Sequence, residues 1–177
     1  VCFSYRFKAA ARYAKELVEK GMLGDIYHIY MQYLQGGGGP SYDLPRSWRY
    51  QKKLTGTGAL GDLGCHALDL VSFVTGKNYR KAVGHTDTYV TQRRLEEGEG
   101  YGPVDVDDFC HYLMEMDGKT SANFSVTRFA YGRGCVALRI NVRKQHTVAA
   151  FGEDGRNVDG TCGFSAAAFF VCDSNFN

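Results

Sequence analysis

Asp62 and His66 stand four residues apart in the run Gly56-Thr57-Gly58-Ala59-Leu60-Gly61-Asp62-Leu63-Gly64-Cys65-His66-Ala67-Leu68-Asp69-Leu70. On a helix, side chains at that spacing are neighbours. A carboxylate beside an imidazole orients the ring and favours its protonated form. Such a pair is equipped to act as general base and acid on an alcohol or a carbonyl. Spacing alone leaves two other readings open. One is a histidine satisfied inside a core, with the carboxylate as its hydrogen-bond partner. The other is a shared cation, as in a metal hydrolase using Asp62, His66 and His111, but no further ligand pair clusters in the sequence and no metal site is expected.

The helix that must carry the pair is read over residues 58–75. At about 100° per residue, Leu60, Leu63, Ala67, Leu70, Val71 and Val74 share one arc about 100° wide, and Asp62, His66 and Asp69 fall within about 60° on another face. Polar groups aligned on a helix otherwise built for burial need a reason. Asp69 reads as structural, holding a backbone group near the helix end, and Gly76 is the expected stop.

Upstream, residues 2–7 are aromatic-rich and alternate, which predicts a strand. Residues 9–20 predict a helix with Ala10, Ala14, Leu17 and Val18 on its apolar face, ending at Gly21. Residues 26–34 predict a second strand. Residues 36–57, opening on four glycines, predict a long loop of the kind that forms lids and binding sites. The only tryptophan, Trp48, lies in that loop beside Arg46 and Arg49, and reads equally as a hydrophobic plug or a ligand platform. The remainder reads as β: 82–90, then 105–115 and 120–129 flanking the Asp117-Gly118 turn, then 134–142. These elements predict an α+β fold, a large, mostly antiparallel open sheet with both helices on one face and a parallel pair added by the first strand–helix–strand unit.

Composition bounds the function. A length of 177 residues corresponds to about one domain. With 44% hydrophobic and 23% charged residues, general disorder is excluded. A net charge of +2 gives no footprint for nucleic acid or a membrane surface. Arg93-Arg94 and Arg143-Lys144 read as solvated surface. No apolar run is long enough to span a bilayer, and no signal peptide is expected at the N-terminus. The six cysteines show no Cys-x-x-Cys spacing and read as reduced, mostly buried thiols of a cytoplasmic protein. The missing initiator Met suggests a boundary inside a longer protein.

The run 56–70 is similar to the G-G-G-x-L-x-D-x-G-x-H-x-x-D signature of the glucose–fructose oxidoreductase / inositol dehydrogenase family (Gfo/Idh/MocA). The likeness continues in Phe3-Ser4-Tyr5-Arg6-Phe7, in 17–26, in Trp48-Arg49, in Val104-Asp-Val-Asp-Asp108, in Asp117-Gly118 and in Val126-Thr-Arg128. A co-linear set of this length is far more specific than a lone glycine motif. The resemblance implies the family's C-terminal domain over residues 1–140, with Asp62 and His66 beside a nicotinamide ring and the substrate hydroxyl. It implies that His66 exchanges the proton and Asp62 orients it or completes the relay. Tyr5, Arg6, Trp48 and Arg49 become candidates for the substrate pocket. NAD or NADP would serve the full-length protein and a sugar, inositol or related polyol would be the substrate. The open sheet face would pack on another copy as a homo-oligomer.

Two features depart from the family. Thr57 replaces a glycine in the turn, a mild change. No G-x-G-x-x-G opens a helix, since Gly132-Arg133-Gly134 lacks the spaced third glycine, and the family's Glu-Lys-Pro lysine would lie upstream. The N-terminal Rossmann domain is thus expected to be missing from this chain, which alone should bind no dinucleotide and turn over no substrate. The alternative is a stand-alone, non-catalytic binding or assembly module. From about residue 141 to 177 neither period holds, and a divergent, irregular tail is expected that leaves the sheet short.

Overall fold

A computed structural model describes residues 2–130, 135–143 and 167–173. Its main sheet has six strands: β1 (Asp25–Leu34), β2 (Tyr79–Asp87), β5 (Phe109–Met116), β6 (Ser121–Thr127), β7 (Cys135–Arg143) and β8 (Ala167–Asp173). A small hairpin of β3 (Gln92–Arg94) and β4 (Tyr101–Pro103) stands apart from it. The helices are α1 (Ala9–Glu19), the short α2 (Lys52–Thr55) and α3 (Cys65–Thr75), the last continuing a π turn over Leu60–Gly64.

The sheet order is β2-β5-β6-β1-β7-β8. The β2/β5, β5/β6 and β1/β7 pairings are antiparallel, and β1/β6 and β7/β8 are parallel. The α+β sheet expected from sequence is therefore present, with its parallel pairs in other places. Residues 2–7 do not form a strand. Ser4–Phe7 is a 3-10 turn with Arg6 N–H donating to the Phe3 carbonyl and Lys8 N–H to that of Tyr5. Phe3 and Tyr5 set their rings edge-on to His66 of the 59–75 helix, while Phe7 is exposed.

One face of the sheet carries the core. Ile29, Met31, Tyr33, Cys110, Tyr112, Phe124, Val126, Leu138 and Ile140 pack against Leu63, Ala67, Leu70, Val71 and Val74 of the helix. Tyr112 stacks on Phe124 at 4.6 Å between centroids. α1 packs against α3, with Ala11 buried and Ala10, expected inside, exposed. Leu60 is likewise exposed, because the π turn shifts the start of the apolar stripe to Leu63. On the opposite face Tyr27, Tyr30, Val83 and Leu113 stand exposed.

Within the loop predicted over 36–57, the chain makes two 3-10 turns, Pro40–Tyr42 and Trp48–Tyr50, besides α2. Of the three thiols described, only Cys110 is buried. β7 runs on to Arg143, and β8 lies beside it in parallel. The remaining tail, 144–166 and 174–177, lies outside the described residues, as does the Gly132-Arg133-Gly134 segment.

At the β5–β6 turn Gly118 adopts φ 71°, and Asp117 accepts bonds from the Asn78 amide N–H at 3.1 Å and its side-chain Nδ2 at 2.9 Å, with Arg80 as a further donor. Those bonds hold the Asp117 carboxyl below the usual aspartate range. A depressed folded-state pKa gives stability that is present above the unfolded-state value and lost as pH falls through the folded one. Asp117→Asn should therefore melt earlier than wild type at neutral pH, and the gap should narrow on acidification. Thermal melts across the acid range check this, and a gap independent of pH would contradict it.

Candidate active site

β1 ends at Leu34 opposite Thr127, the last residue of β6, and Thr127 in turn faces Phe109, the first of β5. Three chain segments therefore meet at one end of the sheet, and the 59–75 helix starts over them. Asp107 launches that helix. Its Oδ1 accepts from Thr57 Oγ1 at 2.8 Å and from Gly58 N–H at 2.6 Å, and its Oδ2 accepts from Leu60 N–H at 2.6 Å. Ala59 N–H donates to the Asp107 carbonyl at 2.8 Å. One carboxylate thus satisfies amides that a helix start would leave unpaired. Thr57, a departure from the family's glycine, supplies one of these bonds.

Asp62 and His66 both project from this helix, but they are not bonded to each other. The Asp62 side chain is 47% exposed, and its Oδ2 accepts from Arg128 Nη2 at 3.0 Å. A charge-assisted bond to a buried guanidinium takes the carboxylate that spacing had paired with the imidazole. The His66 ring lies edge-on to Phe3 at 5.6 Å and to Tyr5 at 5.9 Å. Its Nδ1 is sealed from solvent without a hydrogen-bond partner among the described residues.

Tyr5 brings a hydroxyl network to the same place. Its OH donates to the Tyr33 OH at 3.0 Å, and Gln35 Nε2 donates there at 3.3 Å. Burial, with the Tyr5 bond next, raises the Tyr33 phenol well above its usual range, so it stays neutral; the nearby Asp62 charge adds to the effect. Asp69 accepts two bonds from Arg6 Nε at 2.8 and 3.0 Å, with Nη2 as a further donor, and not from a backbone group as expected. That pairing turns Arg6 toward α3, over the Phe73 ring at 5.4 Å.

Trp48 is 53% exposed with the Arg49 guanidinium 4.5 Å above its ring, and no bond joins either to Asp62 or His66 among the described residues. His111 sits exposed on β5, between the buried Cys110 and Tyr112 that face the helix. Among the described residues no group of three or more potential ligands is placed to hold a metal.

Beneath Asp62 lies an ionic cluster that the sequence reading missed. Arg93, expected on the surface, is 3% exposed. It donates to the carbonyls of Gly38 and Leu44 and stacks 4.1 Å over Tyr50. Arg128 lies over the same ring at 5.7 Å. The fully buried Asp108 accepts from the Tyr89 and Val90 amides at 2.9 Å each. Burial pushes its carboxyl up, against the pull of those amides and of Arg93 and Arg128. Val126-Thr-Arg128 was noticed only as strand. Nothing in the spacing marks Arg93 or Asp108 as buried, since the groups that enclose them come from distant segments.

The family model of the GFO/IDH/MocA C-terminal domain matches residues 11–157. Levoglucosan dehydrogenase of Pseudarthrobacter phenanthrenivorans is 32% identical over 145 residues, which cover 75% of this chain and 37% of that protein. Glucose-fructose oxidoreductase domain-containing protein 1 of Mus musculus is 30% identical, over 68% of this chain and 30% of its own length. Among solved structures, an oxidoreductase domain protein from Kribbella flavida superposes with a TM-score of 0.74 at 36% identity, over 79% of this chain and 38% of that one. A levoglucosan dehydrogenase in complex with NADH and L-sorbose gives 0.73 at 32% identity, over 78% and 37%. The chain spans about a third of the length of these proteins.

Proposed function

This chain belongs to the GFO/IDH/MocA family, as its C-terminal domain, and from that membership we propose that it is the substrate-binding and oligomerisation domain of an oxidoreductase. The full-length protein would use NAD or NADP and act on a sugar, inositol or related polyol. The reading rests above all on one arrangement: Asp62 and His66 share a helix at the sheet end where the Tyr5 and Tyr33 hydroxyls also gather.

In this reading His66 exchanges a proton with the reacting hydroxyl or carbonyl. Asp62 receives a hydroxyl of the substrate. Tyr5 borders the pocket with Trp48 and Arg49, and Arg6 fixes the 4–7 turn by its bond to Asp69. In this reading the dinucleotide is held mainly by a Rossmann domain of the full-length protein, outside this chain. The exposed face with Tyr27, Tyr30, Val83 and Leu113 is the surface proposed for packing against another copy. Among the described residues no helix is long and apolar enough to cross a membrane, and a cytoplasmic location is part of the proposal.

The test is a screen of the full-length protein against sugars, inositols and related polyols, following reduction of NAD or NADP by absorbance. Turnover of at least one is expected, with calorimetry showing neither nucleotide bound by this chain alone. Micromolar binding to the chain, or no turnover of any polyol by the full-length protein, would overturn the reading.

A further inference from the structure

We infer that Arg128 is a positioning residue: it holds the Asp62 carboxylate apart from His66, so that the two groups address the substrate separately and not as a relay. The inference rests on the proposed placement of Asp62 and His66 in the reaction. The Arg128 side chain is only 7% exposed, and its one hydrogen bond among the described residues goes to Asp62 Oδ2. Its Nη1 is sealed without a partner. A buried guanidinium depends on the carboxylate that bonds it, so removing Asp62 leaves Arg128 with only the Asp108 charge, to which it makes no side-chain hydrogen bond.

The donor is rigid as well as buried. Arg128 N–H donates to the Asp108 carbonyl at 3.0 Å, and the Arg128 carbonyl accepts from Gly38 N–H at 3.0 Å. A Cβ on residue 38 would lie 2.6 Å from the Arg128 Cβ, so only glycine lets the loop close over it. Tyr50 supports the guanidinium from one side. A donor held on three sides sets the direction of the carboxylate it binds. Asp62 Oδ1 carries no hydrogen bond among the described residues, and is the oxygen left to accept a substrate hydroxyl. His66, with no carboxylate on Nδ1, is left to move the proton by itself.

The experiment compares Arg128→Met, Arg128→Lys, Asp62→Asn and the Met/Asn double variant in the full-length protein. Arg128→Met should lower kcat about 100-fold, with KM changed less than about threefold, because misplacing a group by an ångström costs on that order. Arg128→Lys should recover about tenfold of the loss. In the Asp62→Asn background, Arg128→Met should cost less than about threefold more, since effects that share one contact do not add. Hydrogen exchange of the 59–75 helix amides gives a readout free of activity, and the same cycle should show a coupling of about fivefold or more. Additive kinetic losses, or an exchange coupling near one, overturn the inference. Should the wild type turn over no polyol, the proposed function fails, and the exchange coupling alone decides whether Arg128 holds Asp62.

Discussion

His66→Ala in the full-length protein is expected to lower kcat by roughly two to four orders of magnitude, the range lost when a positioned acid–base group is removed. Folding should change little. The ring touches Phe3 and Tyr5 only edge-on, and its Nδ1 makes no hydrogen bond whose loss would strand a partner. Side-by-side measurement of kcat and of the melting temperature separates the two effects. Turnover equal to wild type would remove His66 from the mechanism, and a collapse in melting temperature would return it to the core reading.

The second large effect falls on stability. Gly58→Ala should destabilise the domain by about 3 kcal/mol or more, the upper part of the range for single substitutions. A Cβ at 58 would stand 1.9 Å from the Asp107 carbonyl oxygen and 2.8 Å from the Asp107 N and C, all backbone atoms with no freedom to swing aside. Relief requires the clamp from Asp107 onto Thr57, Gly58 and Leu60 to open, and with it the start of the helix. Gly37→Ala is the matched control, with nothing within 4 Å of its Cβ and an expected change within about 0.5 kcal/mol. Denaturant unfolding of the two variants measures the difference. Equal midpoints would show that the turn is not the anchor described here.

What could be read in the sequence was whatever is local. The 3.6-residue period marked α1 and the 59–75 helix, and the Asp117-Gly118 turn marked the β5–β6 hairpin. The aromatic alternation of residues 2–7 misled, because Phe3 and Tyr5 reach His66 from a 3-10 turn whose Phe7 is left exposed, and no sheet face is involved. The β3–β4 hairpin was lost because its strands are three residues each, joined by a polar, glycine-containing run. The site divided in the same way. Asp62 and His66 lie in one motif and were found together. Arg128 lies 66 residues from Asp62, and Arg93 reads as surface until Tyr50 and the carbonyls of Gly38 and Leu44 close around it. Contacts made by folding alone leave no spacing to recognise.

The π turn at Leu60–Gly64 divides the helix between two frames of reference. Its own first residues, Leu60 and Asp62, take their orientation from the loop side, through the Asp107 clamp and the Arg128 bond to Asp62. Residues after it take theirs from the apolar floor, where Ala67, Leu70, Val71 and Val74 are packed. The wide turn that carries Asp62 absorbs small rotations that a continuous α-helix would transmit to His66. Variation in the 36–57 loop or at the strand ends can then re-aim Asp62 while His66 keeps its seat. A lineage built on this helix has room to change which hydroxyl it reads without rebuilding the group that moves the proton.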